Sequence, residues 1–168
     1  MELNQPVPDF SLPDLDDAPH RLSSYRGCIV IINFWSAECP WCERTDAHLL
    51  EIARQHPDQV TLLTIAANAN EPESMLREAA HRRGLPFVLR DSGGGVCDLF
   101  GAQTTPHTFV IDAGGILRYR GAVDDVTFRK RTAERWYVQE AVTAVLAGRA
   151  PEVAETAPYG CTIVRESV

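Results

Sequence analysis

One stretch constrains this chain more than any other: Ile29-Val-Ile-Ile-Asn-Phe-Trp-Ser-Ala-Glu-Cys39-Pro-Trp-Cys42. Its first seven residues are nearly all apolar, as expected of a strand with no solvated face. They lead into two cysteines separated by two residues, and residues from Glu43 to about Gln55 then recur in helical spacing. A strand that hands two thiols to the first turn of a helix places them beside unpaired backbone N–H groups and the positive end of the helix dipole. Both favour a thiolate. Pro40 suits the first helical position, where its missing N–H costs nothing. A thiol in such a place has its pKa lowered from about 8.5 to between ~3.5 and ~7.5. Cys39, at the helix mouth, is expected to be the attacking sulfur, and Cys42, one turn in, the one that resolves a mixed disulfide.

Two cysteines at this spacing also make half of a zinc site, but such a site needs two further N or S ligands, usually as a second close pair. Here Cys28, Cys97 and Cys161 stand singly and no His-x3-5-His pair exists. No metal and no cofactor is expected. The odd total of five cysteines fits a reducing compartment better than a secreted disulfide framework. A net charge of −7 argues against nucleic acid as a partner. No run approaches the ~18 apolar residues of a membrane span. Met1-Glu2-Leu3-Asn4-Gln5-Pro6 has neither a basic start nor an apolar signal core, so a cytoplasmic location is expected, or a periplasmic or membrane-tethered one if a leader was removed.

Along the chain, Pro6 to Gly27 reads as a small β-hairpin around the acidic turn Asp14–Asp17. Residues 28–35 form the first central strand and Pro40 to about His56 a helix with Leu49, Leu50, Ile52 and Ala53 toward the sheet. Val60–Ile65 is a second buried strand, joined to the first by a parallel β-α-β crossover. Glu73–Arg83 reads as a helix stopped by Gly84, Phe87–Arg90 as a short strand and Val96–Phe100 as a short helix. Thr108–Asp112 and Ile116–Arg120 pair as a hairpin across Ala113-Gly-Gly115. A last helix is expected from about Thr132 to Leu146, with Trp136, Val138, Ala141, Val142 and Val145 as its apolar stripe. The organisation expected is one domain over residues 1–148 and an extended C-terminal arm over 149–168.

Three segments together carry a resemblance: Pro8-Asp-Phe-Ser-Leu-Pro13, Asn33-Phe-Trp-Ser-Ala-Glu-Cys-Pro-Trp-Cys42, and Thr104-Thr-Pro-His-Thr-Phe-Val-Ile-Asp112 with Gly114-Gly-Ile-Leu-Arg-Tyr-Arg-Gly121 after it. The chain resembles the thioredoxin-like superfamily over roughly residues 6–147. More narrowly it is similar to membrane-tethered thiol-disulfide oxidoreductases of the TlpA and ResA types and to the related redoxin, or peroxiredoxin-like (AhpC/TSA), proteins. The resemblance implies an α/β thioredoxin fold: a central mixed β-sheet flanked by helices, an N-terminal β-hairpin and an inserted helix-strand between Glu71 and Arg90. By the same likeness Pro106 is a cis proline facing the disulfide, and the Thr105 backbone is turned toward Cys39 to pair with an extended substrate chain.

Several departures and neighbours bear on the chemistry. Asn33 stands where thioredoxins carry a buried Asp, and Glu38 is a candidate substitute proton acceptor. Ala47 replaces a helix-kinking proline, so the helix should run straight. Ser36 matches the hydroxyl of the peroxidase pattern Pro-x-x-x-Thr/Ser-x-x-Cys, but Ile32 replaces its proline. Trp35 is expected to support the core, and Trp41 to offer an apolar contact to partner proteins. Cys28 and Cys97 are expected in the core, and Cys161, on the tail, is a candidate accessory resolving thiol.

The activity implied is exchange of the Cys39–Cys42 dithiol with protein disulfides, sustained by a protein reductant, in a monomer that binds substrate through Trp41, Thr105 and Pro106. Two alternatives stay open: a thiol peroxidase using Cys39 with Ser36, and a copper carrier using Cys39, Cys42 and His107.

Overall fold

A computed structural model describes residues 1–167; Val168, the last residue of the expected arm, lies outside them. Five strands form the central sheet in the order β5 (Leu89–Arg90), β4 (Val60–Ala66), β3 (Ile29–Trp35), β7 (His107–Ile111) and β8 (Leu117–Gly121). Strand β3 (Ile29–Trp35) is buried along its whole length. It pairs in parallel with β4 (Val60–Ala66), which pairs in parallel with the short β5 (Leu89–Arg90). On its other side β3 runs antiparallel to β7 (His107–Ile111), and β7 antiparallel to β8 (Leu117–Gly121). Two parallel strands, then, need a crossover, and α1 (Pro40–Gln55) supplies it.

The two faces of β3 organise the core. Ile29 and Ile31 meet Leu49 and Ile52 of α1 and Val138, Ala141 and Val142 of α4 (Tyr137–Leu146). Val30, Ile32 and Phe34 point the other way, toward α3 (Gly95–Phe100), the N-terminal hairpin and Ile163 of the tail. There Phe34, Phe100 and Phe109 meet edge-on or tilted, with ring centroids 4.9–5.8 Å apart. Each such side chain contributes about 1.5–3 kcal/mol by leaving water. Helix α2 (Glu73–Arg83) packs Leu76, Ala79 and Ala80 beside Trp35 and Leu50. The hairpin, β1 (Ser11–Pro13) with β2 (Pro19–Arg21), closes on Asp14, whose carboxylate accepts from the N–H groups of Asp16 and Ala18 and from His20.

The expected thioredoxin fold, with its hairpin and inserted helix-strand, is what the chain adopts. Some boundaries differ, for physical reasons. The last helix starts at Tyr137 rather than near Thr132. Asp125 claims the intervening backbone: its carboxylate accepts from Glu134 N at 2.9 Å and its N–H donates to Arg135 O at 3.1 Å, holding 125–135 as a loop. Trp136 consequently caps the helix, rests on His48 and is partly exposed instead of joining the apolar stripe. The strand expected over Phe87–Arg90 shrinks to Leu89–Arg90, because Phe87 stacks on His20 of the hairpin. Cys97 is buried as expected, whereas Cys28 is only half-buried at the mouth of β3. No helix among the described residues is long and apolar enough to cross a membrane.

Candidate active site

Strand β3 ends at Trp35, and the three residues that follow are gripped from two sides before the chain enters α1. On one side Glu71 accepts hydrogen bonds from Ser36 Oγ (2.5 Å), Ala37 N (2.7 Å) and Asn68 Nδ2 (2.7 Å). On the other, Arg83 donates to the carbonyls of Ser36 and Ala37 and to Asp46 Oδ2 (3.2 Å). Its guanidinium lies 5.3 Å from the centre of the Trp35 ring, whose Nε1 donates to the same Asp46 at 2.9 Å. Glu71, Asp46 and Arg83 thus fix the direction in which the dithiol is delivered. None of the three is among the site residues expected from sequence, and their spacing in the chain gives no local motif.

Arg83 and Asp46 are almost wholly buried, so their pair is exposed to the asymmetry of buried ions. Removing one partner strands the other's charge in the interior, at a cost of about 3–5 kcal/mol. Burial already raises the Asp46 pKa. Arg83→Ala is therefore expected to lower unfolding stability by about 3–5 kcal/mol in a denaturant titration, part of it softened by protonation of Asp46. A change below 1 kcal/mol would show that the pair is not holding this loop.

Cys39 caps α1 and Pro40 is its first residue, as the sequence predicts; Cys42 lies in the first turn. Both sulfurs are shielded from solvent. The Cys39 pKa is pulled down to about 5, first by the hydrogen bond from the Cys42 thiol, against the opposing effect of burial. The Cys161 thiol and the Cys42 backbone N–H add to the pull. Cys42 moves the opposite way, well above the ordinary thiol range, because it is buried and shares its proton with Cys39. One sulfur is thereby an anion at neutral pH and the other a held thiol.

The third wall is the loop before β7. The Thr105–Pro106 bond is cis, and Thr105 O lies 3.0 Å from Cys39 Sγ. The tail completes the enclosure: Cys161 Sγ is 2.7 Å from Cys39 Sγ. Trp41, expected to be free for partner proteins, is half-buried, with the ring of Tyr159 from the tail 4.9 Å away and edge-on. Asn33 is buried on β3, where its Oδ1 receives a long 3.5 Å contact from Thr108 Oγ1 and its Nδ2 has no partner among the described residues. Glu38 is exposed, and its backbone N–H donates to Ser36 Oγ at 3.3 Å. Helix α1 runs unbroken past Ala47. His107 turns its Nδ1 to accept from Gln103 N (3.2 Å) and lies on the Phe109 ring; burial, with Arg120 nearby, drives its pKa down to about 4. Among the described residues, no three His, Cys, Asp or Glu side chains are grouped to hold a metal ion.

Fold and geometry together define a class, the thioredoxin-fold proteins with a dithiol at a helix mouth. Within it, this chain belongs to the AhpC/TSA family, whose model matches residues 3–120. The chain is 37% identical over 110 residues to the thiol-disulfide oxidoreductase ResA of Geobacillus thermodenitrificans, covering 65% of this chain and 63% of that protein. It is 32% identical over 130 residues to the thiol:disulfide interchange protein DsbE of Allochromatium vinosum, covering 73% and 68% respectively. The chain thus spans less than two thirds of the length of that ResA relative. Among solved structures, a hypothetical protein from Sinorhizobium meliloti 1021 superposes with a TM-score of 0.89 at 23% identity, covering 100% of this chain and 97% of that one. That likeness shows that the fold, tail included, is shared.

Proposed function

We propose that this protein is a thiol-disulfide oxidoreductase that exchanges its Cys39–Cys42 dithiol with disulfides of protein substrates. The observation that carries the reading is the pair of shielded sulfurs at the mouth of α1, facing the cis Thr105–Pro106 bond, with the Cys39 pKa drawn down to about 5 and Cys42 held protonated. In the reductive direction the Cys39 thiolate attacks one sulfur of a substrate disulfide, forming a mixed disulfide and expelling a thiolate that takes a proton. Cys39 then carries no charge, so of the causes that kept Cys42 protonated the hydrogen bond and the repulsion vanish and burial alone remains. Cys42 loses its proton and attacks Cys39 Sγ, and the substrate departs as its second thiol. Two electrons have passed to the substrate and the protein holds a disulfide, which a protein reductant must reopen. Thr105 and Pro106 are the docking edge for an extended substrate strand, with Trp41 beside it. The protein acts as a monomer, and its odd total of five cysteines suits the reducing compartment expected from the sequence.

The peroxidase alternative needs a hydroxyl working with Cys39, and Ser36 is committed to Glu71 instead. The copper alternative needs His107 grouped with both sulfurs, and among the described residues no three His, Cys, Asp or Glu side chains are grouped to hold a metal ion. The test is to follow reduction of insulin disulfides by a small dithiol with and without the protein, in parallel with hydroperoxide consumption. Acceleration of the first without the second is expected. Hydroperoxide consumption with no effect on insulin would replace this reading with the peroxidase one.

A further inference from the structure

The tail does more than approach the site. Strand β9 (Cys161–Thr162) pairs antiparallel with β6 (Thr104–Thr105), setting Cys161 opposite Thr105. This is the edge on which a substrate strand would add. Tyr159 meanwhile covers Trp41, so the tail takes both contacts assigned above to a protein substrate. Its approach is built into the chain. A Cβ at Gly160 would overlap the Thr105 carbonyl oxygen and sit 2.7 Å from its carbon, so only glycine lets the backbone come this near. Beyond the site, Ile163 enters the core, Val164 exchanges hydrogen bonds with Asn68 and Ala69, and Arg165 pairs with Asp98 at 2.9 Å. Upstream, Thr156 bonds Tyr119 and Ala122.

We propose that residues 159–163 are a built-in substrate: they lie where a substrate strand would, and Cys161 exchanges with disulfides at Cys39 to form a Cys39–Cys161 bond. This rests on the thiol-disulfide reading above. The exchange is balanced within the chain. The Cys161 thiolate attacks Cys39 Sγ of the Cys39–Cys42 disulfide, the Cys39–Cys161 bond forms, and Cys42 leaves as a thiolate and takes up the proton that Cys161 lost. With a mixed disulfide at Cys39, the same attack expels the substrate thiol. In the reduced protein Cys161 is inert, its pKa pushed up to about 12 by burial, by its hydrogen bond to Cys39 and by that sulfur's charge. Once Cys39 is in a disulfide, the last two causes disappear and burial alone still opposes ionisation, so the Cys161 thiolate forms more readily beside Cys39 Sγ. The tail thus answers oxidation of the site, and it must lift before a protein disulfide can reach Cys39.

The test oxidises reduced Cys42→Ser protein with glutathione disulfide, blocks free thiols by alkylation and maps the peptides. The expected product is an intramolecular Cys39–Cys161 disulfide, lighter than the reduced protein by two hydrogens, in most of the sample. In Cys42→Ser with Gly160→Ala, whose added Cβ displaces the tail, a glutathione adduct on Cys39 is expected instead, with Cys161 still open to alkylation. A persistent adduct on Cys39 in the Cys42→Ser protein itself, with Cys161 free, would overturn the proposal. Wild-type protein gives an independent reading. Alkylation of Cys39 should be at least about tenfold slower than in Gly160→Ala; equal rates would mean the tail does not cover the site. Neither readout uses a protein substrate, so failure to reduce insulin and failure of the tail exchange are separable.

Discussion

Cys39→Ser is expected to lose protein-disulfide exchange by on the order of 10³-fold or more, whereas Cys42→Ser keeps the first attack and loses only turnover. The asymmetry follows from the two pKa shifts. At pH 7 a thiol with a pKa near 5 is almost wholly ionised, while a serine hydroxyl is not ionised at all. Cys42, pushed upward by burial and by the neighbouring anion, cannot substitute for it. Stopped-flow measurement of the first mixed disulfide, separate from steady-state insulin reduction, checks this. With Cys161→Ser also in place, so that the tail cannot resolve it, the Cys42→Ser protein should form the mixed disulfide with undiminished amplitude but at a lower rate below neutral pH, because the hydrogen bond that most lowers the Cys39 pKa has been altered. Equal loss in both variants would mean that the two sulfurs do not have separate roles.

The second large effect is on reduction potential. Stabilising Cys39 as a thiolate stabilises the reduced protein relative to the disulfide, so the couple should be more oxidising than one with ordinary thiols. A pKa near 5 lies between the values of about 7 for thioredoxin and about 3.5 for DsbA. The potential should accordingly fall between about −270 and about −120 mV. Its pH dependence is sharper still. Between pH 5 and the raised pKa of Cys42, reduction takes up two electrons and one proton, giving a slope of about −30 mV per pH unit; below pH 5 it takes up two protons, and the slope doubles to about −59 mV. The same shift appears in stability. The folded pKa of Cys39 lies below the unfolded value near 8.5. The thiolate's contribution to the reduced protein is therefore complete above that value and is lost as pH falls through about 5. Potentials measured against glutathione from pH 4 to pH 8 check both. A uniform slope of −59 mV throughout would mean that neither sulfur is ionised in that range.

Local patterns made much of this molecule readable from sequence. The apolar run at Ile29 ends in a proline-flanked cysteine pair, and Gly114-Gly115 breaks two alternating stretches, so strand, helix start and hairpin each follow from neighbours in the chain. Thr105-Pro106 became meaningful only when set beside the dithiol. The rest of the site is assembled by tertiary structure. Ser36 and Glu71 are 35 residues apart, Arg83 and Asp46 are 37 apart, and Cys39 and Cys161 are 122 apart. No periodicity connects such pairs. Glu38 drew attention through its place next to Cys39, yet a residue at the lip of a helix faces solvent, while carboxylates from α1 and the loop before α2 reach beneath the loop. The tail, with two prolines and no helical period, read as an extended arm; what it lies against is set by Gly160, which has no meaning without Thr105 opposite.

Exchange at this site depends on Cys39 being an anion near neutral pH, and titration of thiolate ultraviolet absorbance, with wild-type protein compared against Cys39→Ser, measures that without needing reagent access to the buried sulfur. A single thiolate that appears with a midpoint near pH 5 and is absent from Cys39→Ser is the predicted result. A midpoint near 8.5, the ordinary thiol value, would contradict it.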